Sequence, residues 1–183
     1  MLVERQYNRQ NAINYARRWA FERNPLFYNY TGQGGDCTNF VSQCVFAGSC
    51  QMNFTSVFGW YYLDSEMRTA SWTGVEFFYN FFVENRGEGP YGREVGEGQI
   101  EVGDVVQLAN AEGDYYHTLL VSGLSPREGI LVAAHSDDAL DRPLSSYNYT
   151  SARFIHIEGV RFEIEFTSDA CFDALINGER IDS

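Results

Sequence analysis

The feature that most constrains this chain is a change of hydrophobic period near residue 100. Before it, apolar residues recur at helical spacing; after it, short apolar runs alternate with turn residues. Ile13, Ala16 and Ala20, with Tyr15 and Trp19, predict an amphipathic helix within 5–23, stopped by Asn24-Pro25. Positions 37, 40, 41, 44 and 45 form one stripe within 36–48, with Asp36 as the expected N-cap and Gly48 as the expected stop. The aromatic run Val75–Val83 reads as a further helix, and Arg86–Gly98, with five glycines and a proline, as a loop. Strands are expected at Val105–Leu108, His117–Val121, Gly129–His135, Arg153–Ile157 and Val160–Phe166. Helices followed by consecutive antiparallel strands imply an α+β domain over 1–166, its N-terminal helices packed on a C-terminal sheet. The tail, 167–183, has too weak a pattern to assign.

Charge narrows the range of functions. Asp and Glu number 25 against 13 basic residues, for a net charge of −12, and every basic residue is Arg. Such a surface repels a phosphate backbone, so nucleic acid is not an expected partner. Without lysine, a Schiff-base mechanism is excluded. No apolar run is long enough for a membrane span. The start, Met1-Leu2-Val3-Glu4-Arg5, lacks the pattern of a signal peptide, which makes a cytoplasmic location the default expectation.

Four cysteines occur without a CxxC pair, against zinc-ribbon or thioredoxin chemistry. Cys37 and Cys44 on one helix are about 10 Å apart along the axis, too far to bridge. Cys44–Cys50 and Cys50–Cys171 remain open as disulfides in an oxidising compartment. Cys37 stands out because it opens a helix directly after Gly34-Gly35-Asp36. Free backbone N–H groups and the positive end of the helix dipole favour a thiolate there and lower its pKa. The same groups can hold an oxyanion beside the sulfur.

Two of the three histidines flank one hairpin. If the hairpin is centred on Pro126, His117 and His135 are cross-strand neighbours about 5 Å apart, able to act as base and orienter. Any register with an even sum keeps them on one face; an odd sum separates them. His156, mid-strand between Ile155 and Ile157, reads as structural.

The run Gly35-Asp36-Cys37-Thr38-Asn39-Phe40-Val41-Ser42-Gln43 resembles the bacterial Putative amidase domain of the papain-like cysteine clan, as do Trp60-Tyr61-Tyr62, Ser71-Trp72, Gly103–Gln107, His117–Val121 and His135-Ser136-Asp137. That family is similar to NlpC-type cell-wall peptidases and CHAP amidases, and the resemblance covers about residues 7–160. It implies a papain-like fold in which a helix bears the nucleophile against an antiparallel sheet. It also implies cysteine-dependent hydrolysis of an amide through a thioester, in a peptide of the cell wall or another amide substrate, with no cofactor and no metal. In the cell-wall role the protein would work in the envelope or outside it. Carried over, the catalytic residues are Cys37, His117 and His135, with Asp137 or Asp138 as alternative third members. Tyr28, Tyr30 and Asp36 are candidates for the oxyanion or substrate contacts. Three competing readings are a hydrolase holding a metal on His117, His135 and Asp137 or Asp138, a non-catalytic binding module, and acyl transfer on the same scaffold.

Overall fold

A computed structural model describes residues 1–164 and 168–180. Its elements follow the order β1 (Val3–Arg5), α1 (Arg9–Trp19), α2 (Asp36–Ser49), α3 (Ala70–Thr73), α4 (Val75–Glu84), β2 (Gly89–Val95), β3 (Val105–Ala109), β4 (Tyr115–Ser125), β5 (Gly129–Ala134), β6 (Ala139–Pro143), β7 (Ser151–Phe162) and α5 (Ser168–Asn177). The protein is thus α+β, with helices preceding most of the sheet.

The first helix is shorter than its periodicity predicts. Asn8 caps it by accepting the Asn11 N–H at 3.0 Å, and the residues before it pair as β1. On α2, Gly35 and not Asp36 is the N-cap. Gly35 has φ +94°, and a Cβ there would lie 3.0 Å from the Thr73 carbonyl oxygen, so glycine is required on both counts. Asp36 becomes the first helical residue, and its carboxylate turns inward. Gly48 does not stop the helix, which runs on to Ser49. A Cβ at Gly48 would sit 2.4 Å from the Tyr7 ring, so this glycine serves close packing.

Seven strands form one sheet in which every registered pair is antiparallel. β3, β4, β5 and β6 pair in sequence, and β3 also pairs with β7. The glycine-rich stretch expected as a loop supplies β2, which pairs with β7. Arg153–Ile157 and Val160–Phe162 are one continuous strand, β7. The expected extension of that strand to Phe166 falls partly on residues 165–167, outside the described residues.

Side-chain alternation gives the sheet two buried faces. Val105, Leu120, Ala133, Ile155 and Ile157 meet the helices in a core with Phe40, Val41, Trp60, Trp72 and Phe78. Val106, Leu119, Val121, Val132 and Ala134 face the other way, under Val95, Ile100, Leu144 and Tyr147. A residue on β4 or β5 is therefore assigned to a face by its parity.

The segment 167–183, unassigned from sequence, contributes α5. Trp19 Nε1 donates to the Ile176 carbonyl at 3.2 Å and Asn24 Nδ2 to that of Leu175 at 2.9 Å. Cys50 and Cys171, 121 positions apart, form a disulfide that ties α5 to the end of α2. Closing so long a loop contributes about 2–4 kcal/mol, and such a bond persists in oxidising surroundings. No helix among the described residues is long and apolar enough to cross a membrane.

Candidate active site

Cys37 sits in the first turn of α2, where Gly34 and Gly35 (φ +83° and +94°) bring the chain sharply into the helix. It is 6% exposed, and the groups that reach its sulfur are polar. The Thr118 backbone N–H points to the sulfur, and Thr38 Oγ1 lies 3.7 Å from it. Thr38 Oγ1 and Thr118 Oγ1, 2.8 Å apart, fasten the start of α2 to β4. Burial pushes the thiol up. Those hydrogen bonds pull it down, the Asp36 charge pushes it up again, and it ends above an ordinary cysteine. The lowered pKa expected from the helix dipole is therefore not found: desolvation and a neighbouring carboxylate outweigh the N-terminal N–H groups.

The two histidines are not cross-strand neighbours. Near its turn the hairpin does have an even register, Gly123 with Leu131 and Ser125 with Gly129. A bulge at Ser122 shifts it by one, so that Val121 pairs with Val132 and Leu120 with Ala133, sums of 253. The odd sum puts the imidazoles on opposite faces of the sheet.

His117 lies on the face of Leu119 and Val121, with the Tyr147 ring 6.0 Å away and the Tyr116 ring 6.3 Å away. It directly precedes Thr118, whose N–H meets the sulfur, so the imidazole is rooted one residue from the contact with Cys37. Among the described residues no hydrogen bond joins Cys37 to either imidazole. Burial lowers the His117 pKa to about 4, with Asp137 pulling it up and Arg142 pushing it down. At neutral pH His117 is thus an uncharged base.

This depression links folding to pH. The unfolded chain takes up the proton near the ordinary histidine value, the folded chain only near 4, so the contribution is complete above about pH 6.5 and is lost as pH falls towards 4. We expect a loss of about 2 kcal/mol between pH 7 and pH 4.5, absent in His117→Gln, read by denaturant unfolding at the two pH values.

His135 occupies the helix face instead. Its ring stacks on Phe40 at 4.0 Å, and Nδ1 donates to Asp36 Oδ2 at 3.0 Å. Nε2 lies 2.8 Å from the Trp19 carbonyl oxygen and 3.2 Å from Arg23 Nη1. Asp36 also accepts the Tyr30 N–H at 3.1 Å and Asn39 Nδ2 at 3.3 Å. Burial alone would raise the Asp36 carboxyl, but the bond and pull of His135, with those from Asn39 and Tyr30, hold it below the usual carboxylate range. Arg23 closes the cluster by binding both oxygens of Asp138, at 3.0 and 2.9 Å.

Of the alternative third members, Asp138 is therefore committed to Arg23, while Asp137 acts on His117. Of the two tyrosines, Tyr30 has its hydroxyl engaged, accepting from Arg68 Nε at 2.6 Å and donating to the Ser65 carbonyl at 3.3 Å. Tyr28 is exposed; its hydroxyl accepts from Gln33 Nε2 at 3.1 Å, and its carbonyl accepts Asn39 Nδ2 on α2 at 3.1 Å. A metal shared by His117 and His135 is ruled out by their opposite faces. Among the described residues only Glu101, Asp104 and His156 gather ligand atoms closely. There Arg9 Nη1 already binds Asp104 at 2.7 Å, and His156 Nδ1 and the Glu101 and Ile157 N–H groups satisfy the rest of that carboxylate. The group is a pin between α1 and the sheet, with its positive charge supplied by Arg9.

The sequence reading missed Arg142 and Tyr147. Only a knowledge of β6, a short polar strand, would have brought them beside His117.

Comparison with known proteins bears on the chemistry. Uncharacterized protein YhbB of Bacillus subtilis (strain 168) is 32% identical over 141 residues, covering 73% of this chain and 43% of that protein. The chain thus spans less than half the length of this curated relative. No solved structure matches it significantly. The family described as Putative amidase domain (Amidase_6) matches residues 6–158, which include α2, His117 and the turn after β5. The chain belongs to this Putative amidase domain family.

Proposed function

We propose that the protein hydrolyses an amide bond through a thioester on Cys37, with His117 as the general base and acid, on a papain-like arrangement of nucleophile helix and sheet. The observation that carries this reading is the meeting of the Cys37 sulfur with the Thr118 N–H, one residue along β4 from an uncharged His117. Family membership supports amide hydrolysis as the reaction class.

A raised thiol beside a neutral imidazole makes a resting ion pair unfavourable. The proton leaves sulfur for His117 only as the sulfur attacks the carbonyl. The S–C bond forms while the oxyanion gathers charge near the free N–H groups of α2, the Cys37 N–H among them. His117 then gives its proton to the amide nitrogen, the C–N bond breaks and the amine leaves. Water attacks the thioester, yields a proton to His117, and the acid departs as that proton returns to sulfur. Asp137 orients and polarises the base. His135, through Asp36, positions the first turn of α2.

A peptide amide is the substrate class, and the cell-wall peptide implied by the resemblance to NlpC-type enzymes is one member of it. The test is intact mass spectrometry after mixing with a panel of peptide amides and esters. The expected result is an acyl adduct localised to Cys37 and absent in Cys37→Ala. Binding to the panel with no adduct, and equally by the Ala variant, would establish the binding-module reading instead. Capture of the adduct by added amines would reassign the chemistry to acyl transfer.

A further inference from the structure

The turn after β5 runs against ordinary backbone preference. Ser136 and Asp137 are consecutive non-glycine residues with φ of +60° and +74°. Such strain persists where surrounding contacts over-determine it, and it concentrates at functional sites. From β6, Arg142 Nη1 reaches this turn and binds the exposed Asp137 carboxylate, Oδ2, at 3.0 Å. Arg142 is itself held on three sides. Its Nε donates to Ser146 Oγ at 2.8 Å, its Nη2 donates to the Ser146 carbonyl at 3.4 Å, and its guanidinium lies 3.8 Å from the centre of the Tyr147 ring. The same Tyr147 ring stands against His117. The turn, the clamp and the imidazole thus form one contiguous assembly.

We propose that Arg142 is a positioning residue for the amidase: packed on the Tyr147 ring that stands against His117, it holds Asp137 in an ion pair, so that carboxylate and guanidinium act on the imidazole as a pair. The inference rests on the reading of His117 as the base. The groups facing His117 are Asp137 from the turn, Arg142 from β6, Tyr147 beyond it and Tyr116 from its own strand. Asp137 draws a proton to the ring and Arg142 repels it. With the two charges paired their effects oppose, and burial decides the outcome. Without Arg142, the pull of the carboxylate on the imidazole is unopposed, so the ring takes up its proton at a higher pH.

The experiment is an NMR titration of the His117 ring in the full chain, compared with the pH profile of amide hydrolysis. In Arg142→Gln the His117 midpoint should rise by about one pH unit. The acid limb of kcat/KM should move with it. Arg142→Lys, which keeps the charge, should stay close to the parent midpoint, and Arg142→Gln combined with Asp137→Asn should return towards it. An unmoved midpoint in a folded Arg142→Gln would overturn the proposal, as would an equal rise with Asp137→Asn present. If the midpoint moves while the rate profile does not, the clamp is supported and His117 is not the catalytic base, so the two readings fail separately.

Discussion

If Cys37 is the nucleophile proposed above, Cys37→Ala should abolish amide hydrolysis, with a loss of about 10⁴-fold or more in kcat, and adding His117→Ala should cost little further. The near-absence of a second loss is the informative part. A nucleophile and the base that deprotonates it act as one unit, so removing either removes the covalent route and leaves only positioning and oxyanion stabilisation. Two independent binding residues would instead give losses that multiply. The pH dependence of alkylation sharpens the result. Burial and the Asp36 charge keep the Cys37 thiol protonated, so iodoacetamide should react slowly at pH 6 and gain rate into a range above that of an ordinary cysteine. Rapid alkylation at pH 6 would reveal a resting thiolate and overturn the neutral-pair mechanism. Cys44, fully buried in the core, provides an internal control that stays unlabelled in the folded protein.

What the sequence told about this site, and what it hid, divides along a physical line. Helix α2 is legible because its signals are local: a stripe at helical spacing, a glycine pair before it, and a cysteine at its start. Even there the roles of two residues were exchanged. Asp36 reads as an N-cap by residue type, but Gly35 supplies the cap and the carboxylate goes to His135. The hairpin was legible as an element but not in register. A single bulge at Ser122 moves every residue beyond it to the other face, and nothing in Val121-Ser122-Gly123 announces which residue is extra. The pairing of His117 with His135 was lost to that one residue. β2 was hidden by its glycines, yet Gly92 lies so close to the His156 carbonyl, 2.4 Å from an added Cβ, that only glycine allows the strand to pair there. β7 looked like two strands because Gly159 interrupts the apolar run, where the Tyr91 hydroxyl would be 3.0 Å from a Cβ. Each of these failures is a close approach or a register, which is set by the partner strand and not by the residue's own segment.

Asp36→Ala should be the most destabilising single change near the site, and its effect on the sulfur should have the opposite sign. The carboxylate is buried and accepts from His135, Tyr30 and Asn39, with Arg23 Nε 3.4 Å away. Its removal leaves those donors buried without an acceptor and frees the entry of α2 from the sheet. Breaking one side of such a buried pair costs about 3–5 kcal/mol, read as a fall of roughly 10 °C in Tm for a chain of this size. Asp36→Asn keeps the shape and one acceptor oxygen and should lose less. In both variants the charge that pushes the Cys37 thiol up is gone, so at neutral pH alkylation of the folded protein should accelerate while hydrolysis slows. A residue that merely stabilised the fold would give the fall in Tm without the faster alkylation. If alkylation of the folded Asn variant were unchanged, Asp36 would be a structural anchor with no electrostatic hold on the nucleophile. The expected divergence follows from geometry: the carboxylate needed to seat the helix lies beside the sulfur that the helix carries, so stability and thiolate formation are set against each other by a single group.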